Sequence, residues 1–211
     1  MAALLFMLVF LLGMLSMGLQ LVASRVLAPF FGNSIFVWAS LITTFLAAFS
    51  TGSFIGAAVS ARSTIAQRRI VAGLMIACVT TLLFNSVAAR AVCDWLDLHI
   101  ASVPTKLITT CLVLYFVPVM SLSSITPVCI AWYDRREHAA GRSAGLLSGI
   151  STLGNIIGVL VAAFVLIPSF GTRALLHVWW ISAAAIQLLL WFVLFASSPL
   201  PVSAANLRAD R

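Results

Sequence analysis

Long apolar runs recur along the chain from its first residues almost to its last, and they constrain the fold more than any other feature. A hydrocarbon core about 30 Å thick needs about 20 apolar residues per helical crossing. Six such runs can be drawn, at 2–21, 35–59, 70–88, 107–132, 146–167 and 174–196. A backbone in lipid must satisfy its own polar groups, so continuous runs of this length are helical. The expectation is all-α: a polytopic membrane helix bundle of about six transmembrane helices over residues 1–198, with a short polar tail at 199–211. Charged residues make up only 8% of the chain, where a soluble domain carries about 25%. Lipid is therefore the solvent for most of the surface, and no separate globular domain fits between the runs. The first run has no charged segment before it and exceeds the apolar core of a signal peptide, so it reads as a retained span.

The net charge is +7, but the basic residues form short clusters between apolar runs. No basic stripe with interleaved aromatics is present, which argues against nucleic acid as a partner. Topology explains the pattern better. Arg62, Arg68, Arg69, Arg135, Arg136, Arg142, Arg208 and Arg211 fall on one side, while Arg25, Arg90, Lys106 and Arg173 fall on the other. Lys and Arg concentrate in cytoplasmic loops, so the richer side and both termini are expected in the cytoplasm. Trp38, Trp95, Trp132 and the Trp179–Trp180 pair sit near run ends, as an interfacial belt would. The stretch at 24–34 reads as a turn, with Asn33 and Ser34 capping the second helix. The stretch at 90–106 reads as the longest outer connection, carrying a short surface helix through Val92, Trp95, Leu96 and Ile100.

Residues 51–59 read TGSFIGAAV and residues 153–161 read LGNIIGVLV. Gly52 and Gly56 thereby match Gly154 and Gly158 on helices running in opposite directions. That is the mark of a possible 3+3 inverted repeat, a common transporter plan. Small residues four apart let two helix backbones approach closely, so these glycines are expected at packing faces. The alternative is a sliding surface between helices that rock.

Chemistry is sparse. Asp94, Asp97, Asp134, Glu137 and Asp210 are the only acids, and all are expected in loops or the tail. The mild intramembrane polar set includes Gln20, Asn85, Ser123, Ser124, Thr126, Asn155 and Gln187. Helix-to-helix hydrogen bonding is the ordinary role for these. Asn155, between Gly154 and Gly158, is the first to test. Pro118 and Pro127 would kink the fourth helix and could open a polar pocket near Ser123, Ser124 and Thr126. Asp94, Asp97 and His99 lack the partners of a metal site. Cys78, Cys93, Cys111 and Cys129 fit no zinc spacing, and only Cys93 and Cys111 are placed to pair. No phosphate or nucleotide loop, catalytic triad or carboxylate pair is present, so no enzyme activity, cofactor or metal is expected.

Three blocks carry a family likeness: LQLVASRVLAPFFGNSIFVWAS at 19–40, SSITPV at 123–128, and GRSAGLLSGISTLGNIIGVLVAAFVLIPSFGTRALL at 141–176. Together they resemble the membrane domain of bacterial membrane-bound spermidine synthase-like proteins, a facilitator-like membrane domain fused to an aminopropyltransferase-like domain. Where that family usually has a Glu before the Val-Ala-Ser-Arg element, this chain has Gln20. The family's catalytic domain has no counterpart in these residues. The resemblance implies a non-catalytic subunit of a bacterial inner membrane, anchoring or assembling with other subunits. One such partner would be a separate soluble aminopropyltransferase-like protein docked on the inner loops. The competing expectation is a half-size transporter for a small amphipathic or cationic solute, acting as a dimer, a homo-oligomer of twelve helices. The resemblance also favours Arg25 turning inward to bond the backbone at 31–33 near Asn33, and Gln20, locking the turn. The competing reading has Arg25 snorkel to lipid headgroups.

Overall fold

Each apolar run is a helix, and every helix is longer than its run. A computed structural model of the protein describes residues 2–137 and 139–196. Six helices are long and apolar enough to cross a membrane: α1 (Ala2–Phe31), α2 (Ile35–Ser60), α3 (Thr64–His99), α4 (Val103–Arg135), α5 (Ala140–Ser169) and α6 (Thr172–Phe195). No strand occurs among the described residues. His138 and the tail at 199–211, with Arg208, Asp210 and Arg211, lie outside them.

The expected loops are shorter than hydropathy implied. Residues 24–31 are not a turn but the last two turns of α1, with Pro29 inside the helix. The helix ends at Gly32, whose φ of 70° is a left-handed conformation suited to glycine, and whose N–H donates to the Ala28 carbonyl at 2.9 Å. Ser34 then occupies the N-cap of α2 but makes no side-chain cap bond. The surface helix expected at Val92–Ile100 does not exist as a separate element. α3 continues unbroken to His99, so Asp94 and Asp97 stand on a helix rather than in a loop. Hydropathy marks where hydrocarbon ends, whereas a helix with no Gly or Pro continues into water. The actual connection is closed by the Asp97–Lys106 ion pair at 2.5 Å and by Pro104 in the first turn of α4. Asp134 likewise lies on α4.

Pro118 removes the N–H that would bond the Leu114 carbonyl, four residues back. The chain answers in two ways. A π-helical stretch, Leu112–Phe116, widens α4 just before the proline. Asn85 on α3 supplies the missing donor, its Nδ2 bonding Leu114 O at 2.6 Å. In lipid no water could do that job. A second π stretch, Ala162–Leu166, precedes Pro168 in α5.

The packing follows an exchange rule. α1 lies along α5, α2 along α4, and α3 along α6, while α3 flanks α4 and α6 flanks α1. Swapping α1 with α4, α2 with α5 and α3 with α6 reproduces these five pairings. With three helices per half, the halves run in opposite senses, so the relation is an inverted two-fold. Trp179 corrects the aromatic belt: it is 4% exposed, seated against Gly18, with its Nε1 donating to Leu15 O at 3.0 Å. It stitches α6 to α1 inside the bundle.

Candidate functional site

The two central crossings bring backbones into direct contact. A Cβ added at Gly154 or Gly158 would stand closer than 3.0 Å to the carbonyl oxygen of Phe10 or Met14 on α1. One added at Gly52 or Gly56 would meet the carbonyls of Met120 or Ser124 on α4 equally closely. Only glycine permits that approach, and in lipid close backbone packing takes over the role of hydrophobic drive. The four glycines thus set one register for both crossings: Phe10 corresponds to Met120, Met14 to Ser124, Gly52 to Gly154 and Gly56 to Gly158.

Between the crossings lies a polar cavity of about 190 Å³, bounded by α1, α2, α4 and α5. Carrying the glycine register along the helices pairs its walls. Leu12 corresponds to Leu122, Gly13 to Ser123, Ser16 to Thr126, Phe49 to Ser151 and Ser53 to Asn155, and all ten line the cavity. Ser148 and Thr152 complete it. The cavity therefore sits where the inverted halves meet, near the middle of α1, α4 and α5.

Its lining offers hydroxyls and one amide, with no ionisable side chain. Ser16 is buried and donates to Leu12 O at 2.8 Å, and Ser123 donates to Met120 O at 3.0 Å. Both hydroxyl oxygens keep acceptor capacity toward the cavity, and the Asn155 amide adds donors and an acceptor. Ser53, Ser148 and Thr152 are exposed, so the cavity opens on the side formed by α2 and α5. Ser124, expected beside Ser123, instead bonds within its own helix, to Ser121 O at 2.7 Å.

The remaining expected residues separate. Gln20 is half-buried on α1, and Asn33 is exposed in the turn between α1 and α2. Arg25 makes no hydrogen bond to either, nor to the backbone at 31–33, among the described residues. It is exposed and borders a second cavity at the far end of the bundle, with Arg90 and Arg173. Sequence reading picked out Asn155, Ser123 and Thr126 but missed Ser16, Ser53, Gly13 and the arginine grouping. Extending the glycine echo to the partner helices was the one signal able to find the first three. The four cysteines are buried and free, Cys93 and Cys111 included. No group of three metal-ligating side chains occurs among the described residues.

No family model, curated protein or solved structure matches the chain.

Proposed function

We propose that this chain is a membrane carrier for a small, uncharged polar solute, with two copies forming the working unit. The observation that carries this reading is the polar cavity walled by corresponding residues of the two halves. Carriers built from inverted repeats hold their solute at the repeat interface near the bilayer midplane, because rocking one half against the other then exposes the same site to either side. A volume of about 190 Å³ suits a solute of a few heavy atoms. A lining without carboxylates gives a cation no counter-charge at membrane depth, where a lone charge is costly. The solute is therefore a neutral molecule rich in hydroxyl or amide groups, rather than a polyamine.

The second copy is argued from the open side of the cavity. Gly145 and Gly149 on α5 have nothing within 4 Å of an added Cβ, and they flank the exposed hydroxyls of Ser148 and Thr152. Glycines four apart beside hydroxyls form a surface that packs against another helix rather than lipid. In this reading the protein lies in a bacterial cytoplasmic membrane with its N-terminus inside, as the Lys and Arg distribution favours.

The partner-anchoring role has weaker support. Two arginines of the would-be docking end are turned onto helix C-termini of the same chain. Arg135 donates to Ser60 O at 3.1 Å, and Arg68 donates to Phe195 O and lies over the Phe195 ring. Both are ordinary cationic ends to helix dipoles.

Proteoliposome swelling, followed by light scattering with glycerol, urea, glycinamide and erythritol, tests the carrier reading. At least one solute should enter faster than into protein-free vesicles, and Asn155→Leu should remove the difference while folding normally. Rates equal to protein-free vesicles across the panel would refute it.

A further inference from the structure

The second cavity, about 550 Å³, lies between α1, α3 and the start of α6. Its lining is rich in positive charge. Arg25, Arg90 and Arg173 come from three different helices and border the same chamber, and Asp94 is the only acid among its lining residues. None of the three guanidiniums makes an ion pair or hydrogen bond among the described residues, where Asp97–Lys106 is the one salt bridge. Three unpaired cations against one carboxylate leave an excess of two positive charges on one concave surface. Headgroup snorkelling accounts for an arginine pointing outward alone. It does not account for three exposed arginines from different helices bordering one chamber beside a single carboxylate.

Other features of the chamber point the same way. α6 begins here, and its N-cap is Gly171, which has no side chain to accept from the first-turn amides. Those free N–H groups and the positive end of the helix dipole favour an anion. His177, one turn on, accepts from Trp180 Nε1 at its Nδ1, 3.1 Å, which leaves Nε2–H as a donor on the chamber wall. Asn85, only 1% exposed, also borders the chamber, and its Oδ1 has no partner once Nδ2 is committed to Leu114.

We infer that this chamber is a binding site for a phosphate group. Tetrahedral phosphate presents oxygens in several directions, which suits guanidiniums arriving from three helices, whereas a planar carboxylate offers only two. Hydrogenphosphate carries two negative charges against the chamber's excess of two positive ones, and its hydroxyl is a donor of the kind Asn85 Oδ1 lacks. A phospholipid headgroup entering from the adjacent leaflet presents the same tetrahedral phosphate oxygens to the arginines, as a diester with one negative charge and no P–OH donor. The site is independent of the carrier reading and uses none of the residues of the central cavity.

The test uses the full chain in nanodiscs of phosphatidylcholine. One arm titrates inorganic phosphate by calorimetry, with sodium nitrate as the control for non-specific anion binding. The other arm counts phosphatidylglycerol molecules retained by the detergent-solubilised protein in native mass spectrometry. Saturable binding in the first arm identifies a free phosphate compound, and selective retention in the second identifies a lipid headgroup. In whichever arm responds, Arg90→Gln and Arg173→Gln should each weaken binding about tenfold or more. Arg142→Gln, at the opposite end of the bundle, should leave it unchanged. Asp94→Asn removes the opposing carboxylate and should tighten binding several-fold, a gain that misfolding cannot produce. Binding in neither arm, or binding indifferent to Arg90, Arg173 and Asp94 alike, would overturn the inference.

Discussion

The α1–α5 and α2–α4 crossings follow one plan, yet they differ at one corresponding pair. In the first, Gly13 faces α5 so closely that an added Cβ would collide with the Ser151 carbonyl. In the second, the corresponding residue is Ser123, whose hydroxyl fills the same gap and bonds Met120 O at 3.0 Å, with Ala48 O at 3.4 Å. One crossing is closed by three glycines, Gly13, Gly154 and Gly158; the other by two glycines and a hydroxyl. An inverted repeat can therefore keep its geometry while exchanging backbone contact for a side-chain bridge. The exchange leaves more hydroxyl chemistry on the C-terminal half of the cavity than on the N-terminal half.

That comparison can be broken most forcefully at the shared glycines. Gly158→Leu and Gly56→Leu each insert a side chain between touching backbones. Both should abolish recovery of folded protein from mild detergent, because overpacking that costs about 1–3 kcal/mol in an adaptable core here meets main chain that cannot rotate away. Wild-type yield for either one would show that the two crossings are not equivalent.

A smaller but sharper contrast lies at the pair that differs. Gly13→Ala should lower thermal stability by about 1–3 kcal/mol. Ser123→Ala removes only a hydroxyl, bonded to Met120 O within α4 and at longer range to Ala48 O on α2, and should cost about 1 kcal/mol or less. Equal losses measured by scanning fluorimetry would mean that the register pairing Gly13 with Ser123 is wrong.

Asn85 tests the second half from another direction. Asn85→Leu leaves the Leu114 carbonyl without a donor and should cost about 1–3 kcal/mol. In a Pro118→Ala background the backbone N–H returns, so the same substitution should cost less than half as much. An undiminished cost would place Asn85's contribution somewhere other than the proline gap. The smallest effect belongs to Arg25→Gln. Arg25 is exposed and bonds neither Gln20 nor the turn at Asn33, so thermal stability should move by less than about 0.5 kcal/mol.

The helical architecture was legible because bilayer thickness sets a minimum apolar length that six runs meet. Helix ends were not: between Ala88 and His99 nothing breaks the helix, and polarity alone does not stop one. The glycine crossings were legible at Gly52, Gly56, Gly154 and Gly158 because two glycines four apart leave few alternatives. The cavity was legible only in part. Asn155, Ser123 and Thr126 stood out beside glycine or proline, whereas Ser16 and Ser53 are small hydroxyls of the kind scattered through many membrane helices. Trp179 was misplaced because position near a run's end says nothing about which way a side chain faces. The gathering of Arg25, Arg90 and Arg173 joins residues from three helices and leaves no local trace in the chain.

The central claim is that water and solute reach the middle cavity in turn from the two sides of the membrane. Single cysteines at Ser16 and Thr126, corresponding positions on α1 and α4, probe it without knowledge of the solute. The wild-type chain, whose four cysteines are buried, serves as the blank, and Phe54→Cys, at an apolar position 75% exposed on α2, serves as the lipid-facing control. Labelling with a membrane-impermeant maleimide is measured in right-side-out and in inverted vesicles. The carrier account predicts that Ser16→Cys and Thr126→Cys react in both preparations, well above the blank and the control. Labelling no greater than that of Phe54→Cys in both preparations would contradict it.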